Sequence, residues 1–549
     1  NNLVGNALSI NGNPVSRYSM SFRNSTYQEE SDVYSLTGEW HSYLRENITN
    51  QLLVSFTFND CNNRKCKGDF PTVDIIKPDE GGAEWAFMNA GYEQHAWNNG
   101  IKERVWAVTD NLSIQTGKHY ITTGFSFELQ DLSNNYMRYG AGYYRYASYE
   151  DFANKAAPVA FALCYSLTGG KLAPAKVNYR QFSIYAQDDY HVTSRLLLTY
   201  GIRMGIPIYA GKRLENPSIA DYTFNGVKLS TAYWPESTPL FSPRIGFNYD
   251  ISGTNTLSLR GGTGIFTGRF PMIFLSKMQE GSGMLKNTVS TAKAGDELLA
   301  ALAGGIRTRE EILRDIAPLF PDRFRLEPGS VNNIATIDRH FKIPQVWKSS
   351  LAVDYRLPLP FNSLLTLEGM FIKDLNAIVQ RDMNVISNDD GKMSRFTGAD
   401  NRYRYPGNTE KRIHEEITNA ILMDNSGKGY SANFNVTLNM EPIAGLGFMA
   451  AYTYTTSRTM TDNRSNQVDN AWMQEPSVMG PNNQELHRPQ YMQTPHRVIS
   501  QINYTRTYAR HFTTSVAIFY EGQYAGNYSY LYNTDMNNDG INYDLIYIP

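Results

Sequence analysis

The chain has 549 residues, a net charge of −2 and a mean hydropathy of −0.44. This length exceeds that of one ordinary soluble domain, and the charge argues against a nucleic-acid-binding protein, which would normally be basic. No run of about 18 apolar residues occurs, which excludes a membrane-spanning helix but leaves a membrane barrel open, because alternating strands dilute hydropathy. Aromatic residues reach 13% and include 37 Tyr, a residue suited to a membrane–water boundary.

From Tyr34 onward, the sequence predicts long strands joined in pairs by short turns. The predicted pairs are Tyr34–Leu44 with Gln51–Asn59, Val105–Gln115 with Lys118–Glu128, Ser183–Thr193 with Leu196–Ile206, Phe241–Asp250 with Thr256–Thr267, Gln345–Leu357 with Ser363–Lys373, Gly429–Met440 with Leu446–Ser457, and Arg497–Thr507 with Phe512–Gly522. The connections between these pairs are long, so short and long connections alternate along the chain, as they do in outer-membrane barrels. We therefore predict an all-β fold, a transmembrane antiparallel β-barrel with about fourteen recognisable strands.

The stretch Tyr430–Met440, YSANFNVTLNM, shows the side-chain alternation of such a strand most clearly. Apolar Phe434 and Leu438 fall on one face, whereas polar Asn435 and Asn439 fall on the other, because successive strand residues point to opposite sides. Its length matches the roughly 9–11 residues that a tilted strand needs to cross a bilayer. One face is thus predicted to contact lipid and the other a wet lumen.

Charged residues of the predicted strands follow the same alternation, with one exception. Arg203, Arg260 and Lys348 share the polar face of their strands, which we predict to line the lumen. On the lipid face at the bilayer midplane, each would cost about 2–4 kcal/mol. Asp188 instead shares the apolar face with Ile184, and the sequence suggests for it only a position near the membrane interface.

The longest connection contains a helical segment, Thr291–Ala317, which is rich in Ala, Leu, Glu and Arg. Gly304 and Gly305 divide it into two short predicted helices. Two alternatives remain at this stage: a helix pair that packs within the loop, or a lid over the lumen. We place the segment outside the membrane.

The three cysteines give little functional information. Cys61 and Cys66 lie in the short polar segment CNNRKC, where either a loop disulfide or two unpaired thiols are consistent with the pattern. Four zinc ligands at typical spacing are not present there. Cys164, in VAFALCY, is predicted to be a buried small hydrophobic residue.

No motif predicts catalysis, and the chain is not expected to be an enzyme. Neither a Gly-x-Ser-x-Gly nucleophile motif nor a His-Glu-x-x-His metal helix occurs, so no catalytic residue is proposed. The run Gly261–Gly268, GGTGIFTG, follows a strand but opens no helix, which favours a strand bend over a phosphate loop.

The segment Asp535–Asp544, DMNNDGINYD, is the one sharp chemical motif. Its acidic and amide residues occupy positions 1, 3 and 5 of a calcium loop, and Gly540 occupies position 6, but Ile546 stands where an EF-hand needs Glu. We predict a shorter Ca²⁺ loop that orders an external connection; the alternative is a metal-free turn rich in Asn, Asp and Gly. The predicted ligands are Asp535, Asn537, Asp539, the backbone carbonyl of Ile541, and Asp544.

Several runs together resemble a known family. They are DNLSIQTGKHYITTGFSFE, FSIYAQDDYHVTSRLLLTYGIR, FSPRIGFNYD, LSLRGGTGIFTGR, IPQVWKSSLAVDYRLP and NDGINYDLIYIP, in this order. In these runs, the chain resembles TonB-dependent receptors of the Oar-like type. These receptors are outer-membrane proteins of Bacteroidetes and related bacteria and are akin to SusC-type transporters. The resemblance implies a barrel of roughly 22 strands filled by an N-terminal plug.

The resemblance also implies a function, namely uptake of a nutrient across the bacterial outer membrane, driven through TonB. We expect residues 1–549 to be the barrel portion, with the plug and an N-terminal regulatory-like domain outside this chain and the long loops extracellular. The expected partners are outer-membrane lipid, TonB through a region before Asn1, a surface lipoprotein and an unidentified substrate, without nucleic acid. Two alternatives remain: a non-transporting barrel that serves as an adhesion, secretion or assembly scaffold, and a secreted all-β binding protein.

Overall fold

Fourteen long antiparallel strands build the main sheet of the computed structural model, and we call this sheet the wall. The structure describes residues 2–6, 20–78, 84–167, 174–320, 333–387, 391–407, 409–465, 467–478, 480, 482, 486–489, 494–532 and 534–548. The strands are β1 (Thr26–Arg45), β2 (Ile48–Cys66), β3 (Gly100–Thr116), β4 (His119–Asn135), β5 (Ala175–His191), β6 (Leu196–Ala210), β7 (Leu240–Asp250), β8 (Leu257–Thr267), β9 (Gln345–Arg356), β10 (Asn362–Asp374), β11 (Tyr430–Ile443), β12 (Leu446–Arg458), β13 (His496–Tyr508) and β14 (Phe512–Gln523). Every predicted strand is confirmed.

The strands stand in the wall in the same order as in the chain. All seven short turns therefore lie at one end of the wall, and all the long connections lie at the other. A further strand, Asn2–Asn6, pairs with β1 and forms one edge, whereas β14 forms the opposite edge. Within the described residues, no strand pairing joins these two edges.

The two faces of the wall carry the predicted side chains. Apolar Ile202, Trp347 and Phe434 are exposed on one face. On the other, Arg260 contacts Asp354 at 3.0 Å and Glu368 at 3.2 Å. The other two predicted cations also lie on the polar face. Arg203 donates to the Ser126 hydroxyl at 2.7 Å, and the Lys348 ammonium lies over the Phe266 ring. The prediction that these cations avoid the apolar face is confirmed.

Asp188, the exception in the sequence, lies on the apolar face close to the short-turn end of β5. Its Oδ2 atom accepts a hydrogen bond from the Tyr200 hydroxyl at 2.7 Å and lies 2.8 Å from Nδ1 of His119. Only two residues separate it from the strand end at His191. Two polar partners near the strand end explain how this carboxylate is accommodated.

The glycine run is part of the wall, as predicted. Gly261, Gly262 and Gly264 lie within β8 and pair with residues of β7 and β9. A Cβ atom at Gly261 would lie 2.8 Å from the Ser350 carbonyl oxygen, so the neighbouring backbone requires glycine there.

The long connections are not open loops but a second folded region, which we call the cap. It contains a six-stranded sheet, a three-stranded sheet and a two-stranded sheet. Their strands, in spatial order, are Lys286–Ser290, Ala160–Ser166, Tyr143–Tyr146, Thr72–Pro78, Glu84–Ala90 and Met20–Ser21; then Asn333–Ile337, Asn419–Ser426 and Ala377–Asp382; then Ser394–Arg395 and Tyr403–Arg404.

Short helices complete the cap. The α-helices are Tyr149–Ala153, Pro217–Ala220, Ile273–Glu280, Thr291–Ala301, Arg309–Asp315 and Val468–Met473, and the 3₁₀ helices are Arg23–Ser25 and Ala317–Leu319. Among the described residues, no helix has both the length and the apolar character needed to cross a membrane.

The predicted helix pair packs on the six-stranded sheet. Leu298 and Ile312, one from each helix, are buried in a single core with Tyr144 and Leu163 of that sheet. Between the helices, Gly304 and Gly305 have φ of +99° and +116°, a conformation that L side chains rarely adopt. Of the two alternatives for this segment, the structure therefore shows a helix pair that packs within the long connections.

A second core joins the cap to those ends of the wall strands that adjoin the long connections. It contains Val177 of β5, Leu240 of β7, Met278 of the helix Ile273–Glu280, and Trp472 of the helix Val468–Met473. The cap is thus packed directly on the wall.

Of the two possibilities left open for Cys61 and Cys66, the structure shows two unpaired thiols. Cys61 and Cys66 both lie in β2, and both thiols are free. Because they lie five positions apart along an extended strand, their Cα atoms are roughly 16 Å apart, beyond the limit of about 7 Å for a disulfide. Cys164 is buried in Ala160–Ser166, as predicted.

Candidate ligand and metal sites in the cap

A polar cavity of about 430 Å³ lies where the cap meets the wall. A smaller cavity of about 150 Å³ adjoins it and shares Tyr136, Lys277 and Gln467 as lining residues. Charged and hydrogen-bonding side chains dominate the larger cavity. Its lining residues are Tyr27, Glu29, Asn62, Arg64, Glu93, His95, Asn99, Ile101, Asn134, Tyr136, Lys277 and Gln467.

Cations predominate around Tyr136. Lys277 and Lys286 both contact Oε2 of Glu280, at 3.1 and 3.4 Å, so two ammonium groups share one carboxylate. Both ammonium groups also lie over the Tyr136 ring, 4.4 and 5.0 Å from its centroid. Burial lowers the pKa of Lys277 and raises the pKa of Tyr136 to about 12. This arrangement suits a solute with anionic or hydrogen-bond-accepting groups.

Glu93 and His95 also line the larger cavity, next to Tyr136. Burial raises the pKa of Glu93 to about 7 and lowers the pKa of His95 to about 4. The His95 backbone N–H donates to Glu93 Oε2 at 3.0 Å, and Nδ1 of His95 lies 2.9 Å from the Tyr136 hydroxyl. Near neutral pH, this side of the cavity therefore presents a neutral imidazole and a carboxyl group that is easily protonated.

The predicted calcium ligands lie in one tight loop. Asp535, Asp539 and Asp544 each place one carboxylate oxygen within 4.8 Å of the others. Asn537 is part of the same cluster, because its Oδ1 accepts from the Asp539 N–H at 3.0 Å. Ile541 is buried, and its N–H donates to Asp539 Oδ1 at 2.8 Å. The structure thus brings the four predicted side-chain ligands together around the turn that Gly540, with φ of +99°, permits.

The electrostatics of this loop are those of crowded carboxylates. Burial, followed by the Asp544 carboxylate, raises the pKa of Asp539 to about 7. Asp544 Oδ2 accepts from the Met536 N–H at 2.7 Å, whereas the buried Oδ1 has no hydrogen-bond partner among the described residues. Two cations act on the cluster: the Lys411 ammonium is 3.9 Å from Asp535 Oδ2, and the charge of Arg402 acts on Asp544. Three carboxylates therefore share two cations.

A second cluster was not found from the sequence. Nε2 of His487 lies 3.0 Å from Glu475 Oε1 and 3.5 Å from Asp462 Oδ1. All three residues belong to the connection between β12 and β13, and two of them, Asp462 and Glu475, flank the helix Val468–Met473. About a dozen residues separate each from the next, and no metal motif has that spacing, so no local pattern could have identified them.

Comparison with known proteins identifies the fold. The profile of one family, described as an outer membrane beta barrel domain, matches residues 4–517. No curated protein matches the chain. The outer membrane transporter YddB from Escherichia coli has a similar structure, with a TM-score of 0.50 and 10% sequence identity over 89% of this chain and 50% of YddB.

Two further solved structures are similar at lower TM-scores. A mutant of the ferric enterobactin receptor PfeA from Pseudomonas aeruginosa has a TM-score of 0.45 and 11% identity, over 94% of this chain and 51% of PfeA. The FrpB iron transporter from Neisseria meningitidis has a TM-score of 0.44 and 10% identity, over 91% of this chain and 52% of FrpB. The chain spans about half the length of each of these structures.

Proposed function

We propose that this chain, which belongs to the outer membrane beta barrel domain family, forms the wall and cap of a TonB-dependent transporter that imports a nutrient across the outer membrane. The observation that carries the proposal is the combination of a wall with one apolar and one polar face and a folded cap that contains polar cavities. YddB, which shares the fold, is an outer membrane transporter.

In this proposal, the polar cavities beneath the cap take up the substrate first. Lys277 and Lys286 would bind its anionic or hydrogen-bond-accepting groups, and the polar face of the wall, including Arg203 and Arg260, would line the path that follows. TonB would supply the energy through a region of the protein that precedes Asn1. Uptake against a gradient requires such an energy source, because a binding site alone shifts no equilibrium across the membrane.

The cap is proposed to lie outside the cell. Outer-membrane barrels have short periplasmic turns and long external loops, and here all the long connections lie at one end of the wall. An epitope tag at Gly398 of the cap should therefore be labelled on intact cells. A tag at Gly253, in the short turn between β7 and β8, should be labelled only after the outer membrane is opened; labelling in the reverse order would invert the proposed orientation.

Transport is tested in the native host with the full-length gene. We expect deletion of this gene, or of tonB, to abolish depletion of one solute from a defined mixture, measured by mass spectrometry of the medium. Replacing Lys277 and Lys286 together with Met should reduce depletion of that solute at least about tenfold through loss of charge-assisted contacts. Lys428→Met, at an exposed position outside the cavities, is the control.

The same experiment separates the two candidate functions. Unchanged depletion of every solute in the deletion strain would contradict the transport proposal. Altered surface adhesion or secretion in that strain, without any change in solute depletion, would indicate a scaffold instead.

We further propose that the loop Asp535–Asp544 binds Ca²⁺ as a structural ion of the cap. The ligands would be Asp535, Asn537, Asp539 and Asp544 with the Ile541 carbonyl, because Ca²⁺ prefers six to eight oxygen ligands. Two observations support the proposal: three carboxylates converge, and the buried Asp544 Oδ1 has no donor. Lys411 balances only part of this charge.

The loop is well placed to hold three connections together. The Tyr405 N–H donates to the Asn537 carbonyl at 2.8 Å, and the Leu545 N–H donates to the Ser477 carbonyl at 3.2 Å. The Arg402 guanidinium donates to the Leu545 carbonyl at 2.7 Å. An ion that orders this loop would therefore also order the segments around residues 402–411 and 475–478.

Calcium binding is tested by titration calorimetry on protein stripped of metal. We expect one Ca²⁺ to bind with an affinity of about 10⁻⁴–10⁻³ M or tighter, typical of extracellular sites. The double variant Asp535→Ala with Asp539→Ala should lose it, whereas the exposed pair Glu310→Ala with Asp315→Ala should not. Equal heats from wild type and the first variant would show that the loop is a metal-free turn.

A further inference from the structure

We propose that Asp462, Glu475 and His487 bind one divalent transition-metal ion of the Zn²⁺ class, and that this ion closes the connection between β12 and β13. The site is distinct from the Ca²⁺ loop and is not part of the proposed transport function. It uses an imidazole nitrogen and two carboxylate oxygens that converge on one point.

The distances within the cluster match those of ligands on one ion. Donor atoms bound about 2.0–2.2 Å from the same Zn²⁺ ion lie roughly 3–3.5 Å from each other in tetrahedral or octahedral geometry. Nε2 of His487 is 3.0 Å from Glu475 Oε1 and 3.5 Å from Asp462 Oδ1. A metal ion between these three atoms would require little movement of the side chains.

Each carboxylate is held by its other oxygen. The Arg464 guanidinium donates to Asp462 Oδ2 at 2.9 Å. The backbone N–H of Asp462 donates to Glu475 Oε2 at 2.9 Å. Such outer contacts fix the orientation of metal-binding carboxylates, and they leave Asp462 Oδ1 and Glu475 Oε1 directed toward His487.

Glu475 carries a buried oxygen atom that no hydrogen bond satisfies among the described residues. The residue is only 6% exposed, and His487 Nε2 lies 3.0 Å from its Oε1 atom without the geometry of a hydrogen bond. A buried carboxylate oxygen without a donor is costly, because the protein does not replace the water that it has lost. A bound cation would remove that cost.

The donor set favours a transition metal over Ca²⁺. One imidazole and two carboxylates suit Zn²⁺ and neighbouring divalent ions, whereas Ca²⁺ selects oxygen donors alone. Three protein ligands leave a position for water, and the role proposed here is structural. Asp462 and Glu475 lie on either side of the helix that carries Trp472, and His487 pairs with Thr459 through two backbone hydrogen bonds of 2.9 and 3.0 Å. The ion would thus hold this helix against the core.

The test uses the full-length protein in detergent, stripped of metal and then dialysed against micromolar Zn²⁺ with millimolar Ca²⁺ to occupy the calcium loop. Elemental analysis should find about one Zn²⁺ per chain in the wild type. Glu475→Gln and His487→Ala should each lower this by at least about tenfold. His340→Ala is the matched control, because His340 contacts the Glu236 carboxylate at 3.2 Å outside the cluster.

Two further measurements distinguish a bound metal ion from an ion pair among the same three side chains. Co²⁺ substituted for Zn²⁺ should give visible absorption that His487→Ala abolishes, and hydrogen exchange of residues 462–478 should slow when Zn²⁺ is added to the wild type. If the wild type binds no Zn²⁺, or if Glu475→Gln binds as much as His340→Ala, the cluster is an ion pair between a protonated imidazole and carboxylates, and the proposal fails.

Discussion

The wall and the cap place their apolar residues in opposite ways. In the wall, Leu36 is 72% exposed and Ile518 67% exposed, whereas Leu163 and Trp472 of the cap are at most 1% exposed. The difference follows from the solvent, because lipid accepts apolar side chains and water excludes them. A mean hydropathy of −0.44 averages these two rules, which is why it resembles that of a soluble protein.

The two regions also differ in how their structure is encoded. A wall strand pairs with the strand that follows it, and its two faces can be identified from a stretch of about ten residues. The cap sheets instead combine strands from separate connections, as in the parallel pairing of Asn333–Ile337 with Asn419–Ser426. Wall structure is therefore local in sequence, whereas cap structure depends on contacts between distant residues.

The largest effect is expected from a charge on the lipid face of the wall. Phe434→Arg should abolish assembly in the outer membrane, because Arg at the bilayer midplane costs about 2–4 kcal/mol and the residue is exposed there. Asn435→Arg, one residue away on the polar face and paired with Glu368 across the strands, should assemble normally. Heat-modifiable migration on gels and membrane fractionation measure both. Equal tolerance of the two substitutions would break the distinction between the faces.

A core substitution in the cap should have a smaller and more local effect. Trp472→Ala should destabilise the helix Val468–Met473 and its core by about 3–5 kcal/mol and leave the wall assembled, because the side chain is buried in the cap. Hydrogen exchange should accelerate in residues 462–478 but not in β11 or β12. Trp472→Phe, which keeps most of the apolar contact, is the control. Loss of the whole barrel would show that wall and cap fold as one unit.

These two regions also mark what could be predicted from the sequence. The fourteen strands were recognisable because alternation and turn residues act over short distances, and the clustered residues of the loop Asp535–Asp544 were recognisable because their spacing is local. The cap sheets could not be predicted, because Thr72–Pro78 shows no pattern that selects Tyr143–Tyr146 as its parallel neighbour. The cluster of Asp462, Glu475 and His487 was missed for the same reason, since only the folded connection brings its members together.

The smallest effect concerns pH and the cavity between wall and cap. Because the folded pKa of Glu93 is raised from 4.5 to about 7, its contribution to stability is lost as the pH rises through that range. Because the folded pKa of His95 is lowered from 6.5 to about 4, its contribution is lost as the pH falls through that range. The contributions of Glu93 and His95 change in opposite directions with pH. The stability of the wild-type cap should therefore vary little between about pH 4.5 and 6.5.

Single substitutions should expose each term. Glu93→Gln should leave only the contribution of His95 to stability. Local opening of residues 91–100 should then become about tenfold rarer as the pH rises from 5 to 7. His95→Asn should give the opposite trend. Hydrogen exchange, corrected for its intrinsic pH dependence, measures both. Parallel pH profiles for the two variants would show that these groups do not control the junction between cap and wall.

The six-stranded sheet of the cap has a consequence for how such proteins diversify. Its strands come from the segment before β1 and from the connections that follow β2, β4 and β8. Replacing one of these connections by that of a relative would remove hydrogen-bonding partners from the others, so they are expected to change together in evolution and in engineering. The pair Ser394–Arg395 and Tyr403–Arg404 forms within a single connection. The tip of that hairpin is therefore a position where an insertion or a grafted peptide can be introduced without removing strand pairing from the other connections.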